Sequence, residues 1–158
     1  MKTAIVYTTK HGCTDKCAHT LANNLEKETK LFNIEMEDDI NLDHFDTVIV
    51  GGSIHAGMIN KRIKSFINKN LTLLLEKKIG LFLCCMYEGD QALEQFQNAY
   101  PEPLRNKAEA HGLFGGEFEF EKMNFLEKAI VKKVANVEHS VSNINYANIK
   151  AFAEKIKS

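Results

Sequence analysis

At 158 residues the chain is long enough to close one domain around a full core, 1–158, without disulfide or metal staples. Apolar residues at 44%, charged residues at 26% and only two prolines exclude a disordered or fibrous chain, and a formal charge of −1 excludes a strongly basic nucleic-acid binder. The longest apolar runs (AIVY, TVIVGG, IGLFLCCM) fall short of a bilayer span and the N-terminal run is too short for a signal-peptide core, so a cytoplasmic protein is expected.

Short apolar runs bounded by turn residues predict strands at 3–7, 31–36, 47–52, 79–86 and 112–118, with helix-period segments between most of them. The first helical stretch puts Cys17, Ala18, Leu21, Ala22 and Leu25 on one face, with Thr14 or Asp15 available as its cap. Residues 60–76 form a second helix with Ile63, Phe66 and Ile67 inward, and 90–100 a third. The last, 145–158, turns Ile149, Phe152, Ala153 and Ile156 toward the sheet. Near-continuous apolar strands such as TVIVGG and IGLFLCC suit a parallel sheet covered on both faces. The expected fold is therefore α/β: a three-layer sandwich around a five-stranded parallel sheet, strand order 2-1-3-4-5, with helices on both faces.

Residues 119–144 break the alternation and read as an insertion or an extra helix. From 122 to 158 there are seven lysines against three glutamates, a net of +4, whereas residues 1–121 carry thirteen basic and eighteen acidic groups, a net of −5. Within 122–134, Phe125, Leu126, Ala129, Ile130 and Val134 can share a helix face edged by Lys128, Lys132 and Lys133. Such a face can pack on its own domain, dock a partner or make peripheral contact with an anionic membrane.

In a parallel sheet of this kind ligands bind beyond the carboxyl ends of the strands, which directs attention to three loops. Loop one is TTKHGCT: Thr8, Thr9 and Thr14 offer hydroxyls, Lys10, His11, Gly12, Cys13 and Thr14 offer consecutive backbone N–H groups, and Gly12 permits the tight wrap. Just before a helix, that array faces an anion where the helix dipole is positive, and a phosphate monoester fits it. Loop two, residues 51–61, has Gly51, Gly52 and Gly57 for close approach to a flat ring, with Ser53, Ile54, His55 and Ala56 along its edge or face. Gly57 can take a positive φ, and His55 is either a proton donor or polar surface. Loop three runs from Cys84 through Met86 to Gln91; Tyr87 can stack on an apolar ring, and Glu88, Gly89 and Asp90 can present N–H groups to ring carbonyls, unless Asp90 caps the next helix. A phosphate at one end and a flat heteroaromatic at the other describe flavin mononucleotide (FMN).

Rival chemistries fail on spacing. Neither GxxxxGK[ST] nor GxGxxG occurs, and the sixth residue after Cys13 is His19 and after Cys17 is Asn23, so no C-x5-R phosphatase loop exists. A receiver domain would need acidic residues where Thr8, Thr9, Gly52 and Ser53 stand. The four cysteines, Cys13, Cys17, Cys84 and Cys85, are spaced C-x3-C and C-C, which matches neither a zinc knuckle nor a CxxC pair, so free thiols and no metal site are expected. Cys84 and Cys85 read as small apolar strand residues, and Cys13, at a helix N-terminus, as the most reactive thiol.

With those loops in view, the chain resembles the flavodoxin-like flavoproteins over nearly its whole length. TTKHGCT is similar to their phosphate loop, GSIHAG to their second flavin loop and YEGDQ to their third. Within that superfamily it is most similar to the menaquinone-dependent protoporphyrinogen oxidase group, whose STRxGxT and ASIRYG resemble Thr8 to Thr14 and Gly52 to Gly57, with His55 in place of the arginine and Ala56 in place of the tyrosine. The resemblance implies an FMN-dependent redox protein needing no metal. It either passes electrons from a porphyrinogen-like donor to a quinone or serves as a flavodoxin-type carrier between protein partners.

Overall fold

The computed structural model describes residues 2–25, 28–118, 129 and 141–158. Its elements are β1 (Thr3–Tyr7), α1 (Cys13–Asn24), β2 (Thr29–Asn33), β3 (Thr47–His55), β4 (Met58–Ile59), α2 (Lys61–Leu75), β5 (Lys78–Cys84), α3 (Gly89–Ala99), α4 (Glu102–Lys107), β6 (Ala110–Leu113), β7 (Gly115–Phe118), β8 (Val141–Ile144) and, at the end of the chain, α5 (Tyr146–Lys157). Five strands pair in parallel in the order β2-β1-β3-β5-β6, which is the expected arrangement once the two-residue β4 is set aside.

The two faces of the sheet follow from the alternation of side chains along each strand. Ile5, Tyr7, Ile49, Phe82 and Cys84 point to the side covered by α1 and α5, where they meet Cys17, Leu21, Ile149, Phe152 and Ile156. Ala4, Val6, Val48, Val50, Leu81 and Leu83 point to the side covered by α2, α3 and α4, against Ile63, Ile67, Phe96 and Leu104. With both faces covered, the strands lose the polar half of their pattern, which is why they read as continuous apolar runs. Phe66, expected inward, is only partly buried at the rim of this layer, as are Ala22 and Leu25 on the other.

Three boundaries differ from expectation, each for a local reason. β2 begins at Thr29, paired with Thr3, and ends at Asn33. Beyond that residue the Asn33 side chain accepts from the Glu35 N–H at 3.0 Å and its carbonyl from the Met36 N–H at 2.9 Å, turning the chain out of the sheet. The fifth predicted strand, 112–118, is two strands meeting at Phe114. The Phe114 N–H still donates to Leu83 at 3.0 Å, but Gly115 takes φ 78° and sends β7 away to pair antiparallel with β8. The third is β3, which runs to His55 and folds back as a hairpin with β4.

Residues 119–140 join β7 to β8 and lie, with the exception of Ala129, outside the described residues, as does the apolar and basic face expected over 122–134. No helix among the described residues is long and apolar enough to cross a membrane.

Candidate functional site

Loop one leaves the sheet at Tyr7, whose buried hydroxyl donates to the Asp15 carboxylate and so ties the end of β1 to the first turn of α1. Burial, then the hydrogen bond and charge of Asp15, hold the Tyr7 phenol well above its ordinary range, so it stays a donor. The cap of α1 is Gly12, at φ 94° and ψ −10°, a conformation that suits glycine. Its N–H is taken by the Thr9 hydroxyl at 3.0 Å, and its carbonyl accepts the first helical bond, from Lys16 at 3.0 Å. Thr14 and Asp15, expected as caps, instead lie within the first turn, because Gly12 ends the loop two residues earlier.

No side chain caps this helix, so the N–H groups of Cys13, Thr14 and Asp15 meet no carbonyl of their own helix and point to the loop. The Thr14 side chain is 1% exposed, and among the described residues its hydroxyl has no hydrogen-bond partner. Thr8 is equally buried, whereas Lys10 is exposed and His11 half-buried.

Loop two is the β3–β4 hairpin. Ile54 pairs with Ile59 and His55 with Met58, leaving Ala56 and Gly57 as the two turn residues, with φ 52° and 78°. Positive φ at both central positions is the turn that matches strand twist in a two-residue hairpin. Gly57 takes it freely, as expected; Ala56 takes it against the clash of its Cβ, a strain of about 1 kcal/mol held at the exposed tip. His55 shares a hydrogen bond of 2.9 Å with the Ser53 hydroxyl, and its ring meets the His11 ring edge-on at 5.8 Å, joining loops one and two.

Loop three follows β5. Cys85 lies just past the strand, its thiol 3.8 Å from the Tyr87 carbonyl, and Tyr87 is half-buried against the core beneath α2 and α3. Glu88 is the cap of α3 and makes no side-chain bond to it, with Gly89 (φ 59°) and Asp90 already helical, so Asp90 is not the cap. The N-termini of α1 and α3 therefore both remain open, while α2 and α5 are closed by Asn60 and Asn145, whose side chains accept from the N–H groups of Arg62 and Asn148. Met86 packs on β7, where a Cβ at Gly116 would stand 2.6 Å from its sulfur. Two other grooves, one lined by Ile67, Tyr100 and Arg105 and one by Ile34, Arg62 and Phe66, lie away from loops one and three, and the second meets loop two only at Lys61.

A feature concealed by sequence spacing lies behind loop one. Cys13 and Cys17 are one helical turn apart on α1 and face Cys84 at the end of β5, and their three sulfurs lie within 4.8 Å of one another. Hydrogen bonds from the Cys17 and Cys84 thiols, aided by the Lys16 ammonium and the Glu117 N–H, lower the Cys13 pKa to about 4. Cys17 and Cys84 are correspondingly raised, because each holds its proton toward Cys13. Lys16 and Glu117 form an ion pair of 2.8 Å that closes the outside of this cluster. C-x3-C places two thiols on one helix face, but only the sheet order brings Cys84 to them.

The topology and the open helix ends at the carboxyl edge define a doubly wound α/β protein with an anion-ready first loop. A family model described as a flavodoxin domain matches residues 4–144, and the chain belongs to that family. Flavodoxin 1 from Bacillus cereus is similar in structure, with a TM-score of 0.61 at 16% identity over 99% of this chain and 97% of that one. A Fusobacterium nucleatum flavodoxin bound to flavin mononucleotide follows at 0.58 and 15%, covering 99% and 98%. A WrbA-like flavodoxin from Agrobacterium tumefaciens gives 0.57 and 17%, covering 99% and 93%. No curated protein matches the chain.

Proposed function

We propose that this protein binds FMN and acts in oxidation–reduction as an electron carrier between redox partners. The observation that carries the reading is the buried Thr14 hydroxyl without a partner, set among uncapped N–H groups at the start of α1. A buried unsatisfied donor is costly, and a phosphate oxygen relieves it while sitting at the positive end of the helix dipole. The hydroxyls of Thr8, Thr9 and Thr14 and the backbone N–H groups from Lys10 to Thr14 would hold the phosphate. Ser53, Ile54, His55, Ala56 and Gly57 would line one side of the ring, and Met86, Tyr87, Glu88, Gly89 and Asp90 the other. The bound flavin supplies the redox chemistry, and the protein supplies placement, shielding of one face and hydrogen bonds at the ring edge. His55, hydrogen-bonded to Ser53 and set against the His11 ring, would then lie along the ring edge.

Titration of the purified chain with FMN, followed by flavin fluorescence and absorption, tests this directly. Saturable uptake of about one flavin per chain is expected; folded protein that takes up none refutes the reading.

A second reading, a quinone-linked porphyrinogen dehydrogenase, is supported by the likeness of loops one and two to the protoporphyrinogen oxidase group and by the position of β7, where Glu117 binds Lys16 of α1 and Gly116 lies against Met86 of loop three. Oxidation of protoporphyrinogen by a quinone in the presence of the FMN-loaded protein supports that reading. An inert mixture, together with reduction of the bound flavin by a flavodoxin reductase, returns it to a carrier. Retention on anionic liposomes that is lost in salt tests membrane contact through 122–134.

A further inference from the structure

We propose that Cys13, Cys17 and Cys84 form a three-coordinate, all-sulfur site for a monovalent soft cation, Cu(I). The sulfurs come from two elements, α1 and the end of β5, and lie within 4.8 Å of one another. A cation about 2.3 Å from each of three thiolates in a plane needs sulfurs about 4 Å apart, so small side-chain rotations close the site around it. Among the described residues no imidazole nitrogen or carboxylate oxygen joins the group, and the nearby Glu117 carboxylate is bound to Lys16 at 2.8 Å.

The surroundings decide which cation suits it. Cys17 and Cys84 are 0% and 1% exposed and belong to the apolar cluster that holds Tyr7, Leu21, Phe82 and Phe114. Zn(II) asks for four ligands in a tetrahedron, whereas thiolates alone in low number suit Cu(I). Cys13, on the first turn of α1, is the least buried of the three. Each coordinating thiol releases its proton to solvent, no electron is transferred, and the excess negative charge faces the positive end of α1 and the Lys16 ammonium.

This inference does not depend on the flavin. Anaerobic competition between the 158-residue chain and bicinchoninate for Cu(I), with and without FMN, should show one copper per chain. X-ray absorption should report a first shell of sulfur alone, three atoms deep in count. Cys17→Ala and Cys84→Ala should each weaken copper binding by roughly tenfold or more, with folding checked by thermal melting. Cys85→Ala removes the thiol outside the cluster and should leave copper binding unchanged. Failure of the parent chain to take copper from bicinchoninate, nitrogen or oxygen in the first shell, or equal behaviour of Cys17→Ala and Cys85→Ala overturns the proposal.

Discussion

Replacing Thr14 by valine tests the proposed phosphate contact twice, in the flavin-free chain and in flavin binding. The side chain is buried, its hydroxyl is unpartnered among the described residues, and valine keeps the β-branch and nearly the volume. In the flavin-free protein the substitution removes an unsatisfied polar group, so stability should rise by about 1 kcal/mol, a shift of roughly 0.5 M in the urea midpoint. With FMN it removes a hydrogen bond to a charged phosphate oxygen, worth about 1.5–3 kcal/mol, so Kd should increase by about 10- to 150-fold. Opposite signs are the signature. Urea unfolding of the flavin-free chain measures the first effect, and fluorescence titration with FMN the second. A variant that binds FMN within about twofold of the parent would show that the hydroxyl does not face the phosphate, and a less stable flavin-free variant would show that it is satisfied in solution.

The thiol cluster, the hairpin and the core give three more. Because Cys13 ionises near pH 4 rather than at the ordinary 9.0, its alkylation by iodoacetamide should be nearly independent of pH from 5 to 8 and fall off below that, which peptide mapping reads site by site; a rate still climbing through pH 8 contradicts the hydrogen-bonded thiolate. Ala56→Asn puts a residue tolerant of positive φ at the strained turn and should raise stability by about 0.5–1 kcal/mol, or about 1–4 °C in Tm; calorimetry showing a loss rejects the strain. A Cβ at Gly51 would stand 2.0 Å from the Phe82 ring, so Gly51→Ala should cost about 3 kcal/mol and Phe82→Ala about 3–5. Their double variant should recover about 1–3 kcal/mol of the sum in urea unfolding, and simple additivity would deny the contact.

Much of this architecture was legible in the chain because burial on both faces removes polar residues from a strand, and TVIVGG and IGLFLCC carry that mark. The open turn between β1 and α1 was legible for a similar reason: a glycine flanked by threonines between an apolar strand and a helix-period segment marks a tight entry into a helix. Its cap was misplaced, since Thr14 is an acceptable cap by type and only the backbone at Gly12 shows that the helix starts earlier. The hairpin of loop two escaped notice because its turn is Ala-Gly, and alanine gives no sign of the positive φ that Asn-Gly would have announced. The split of the fifth strand at Phe114 and Gly115 was hidden inside GLFGGEF, where an apolar residue between glycines reads as continuous strand.

What sequence order could not convey at all is the meeting of Cys84 with Cys13 and Cys17. It depends on the end of β5 and the start of α1, which bring Cys84 and Cys17, more than sixty positions apart in the chain, to the same edge of the sheet. The same edge gathers Tyr7, the His11–His55 contact and the open ends of α1 and α3. A parallel sheet forces this convergence, because every strand delivers its last residue, and every following helix its positive end, to one side. The asparagine caps on α2 and α5 close two of those ends and leave two for a ligand. Hence an asparagine cap placed at position 12, Gly12→Asn, should compete with phosphate for the first-turn N–H groups. FMN affinity should fall by about tenfold, about 1.4 kcal/mol, while in the flavin-free chain the cap's gain is offset by about 1 kcal/mol for a side chain held at positive φ, leaving stability close to the parent's. Flavin titration and urea unfolding of that one variant read both effects, and a parallel rise of affinity and stability would mean that the open end of α1 is not where the anion is held.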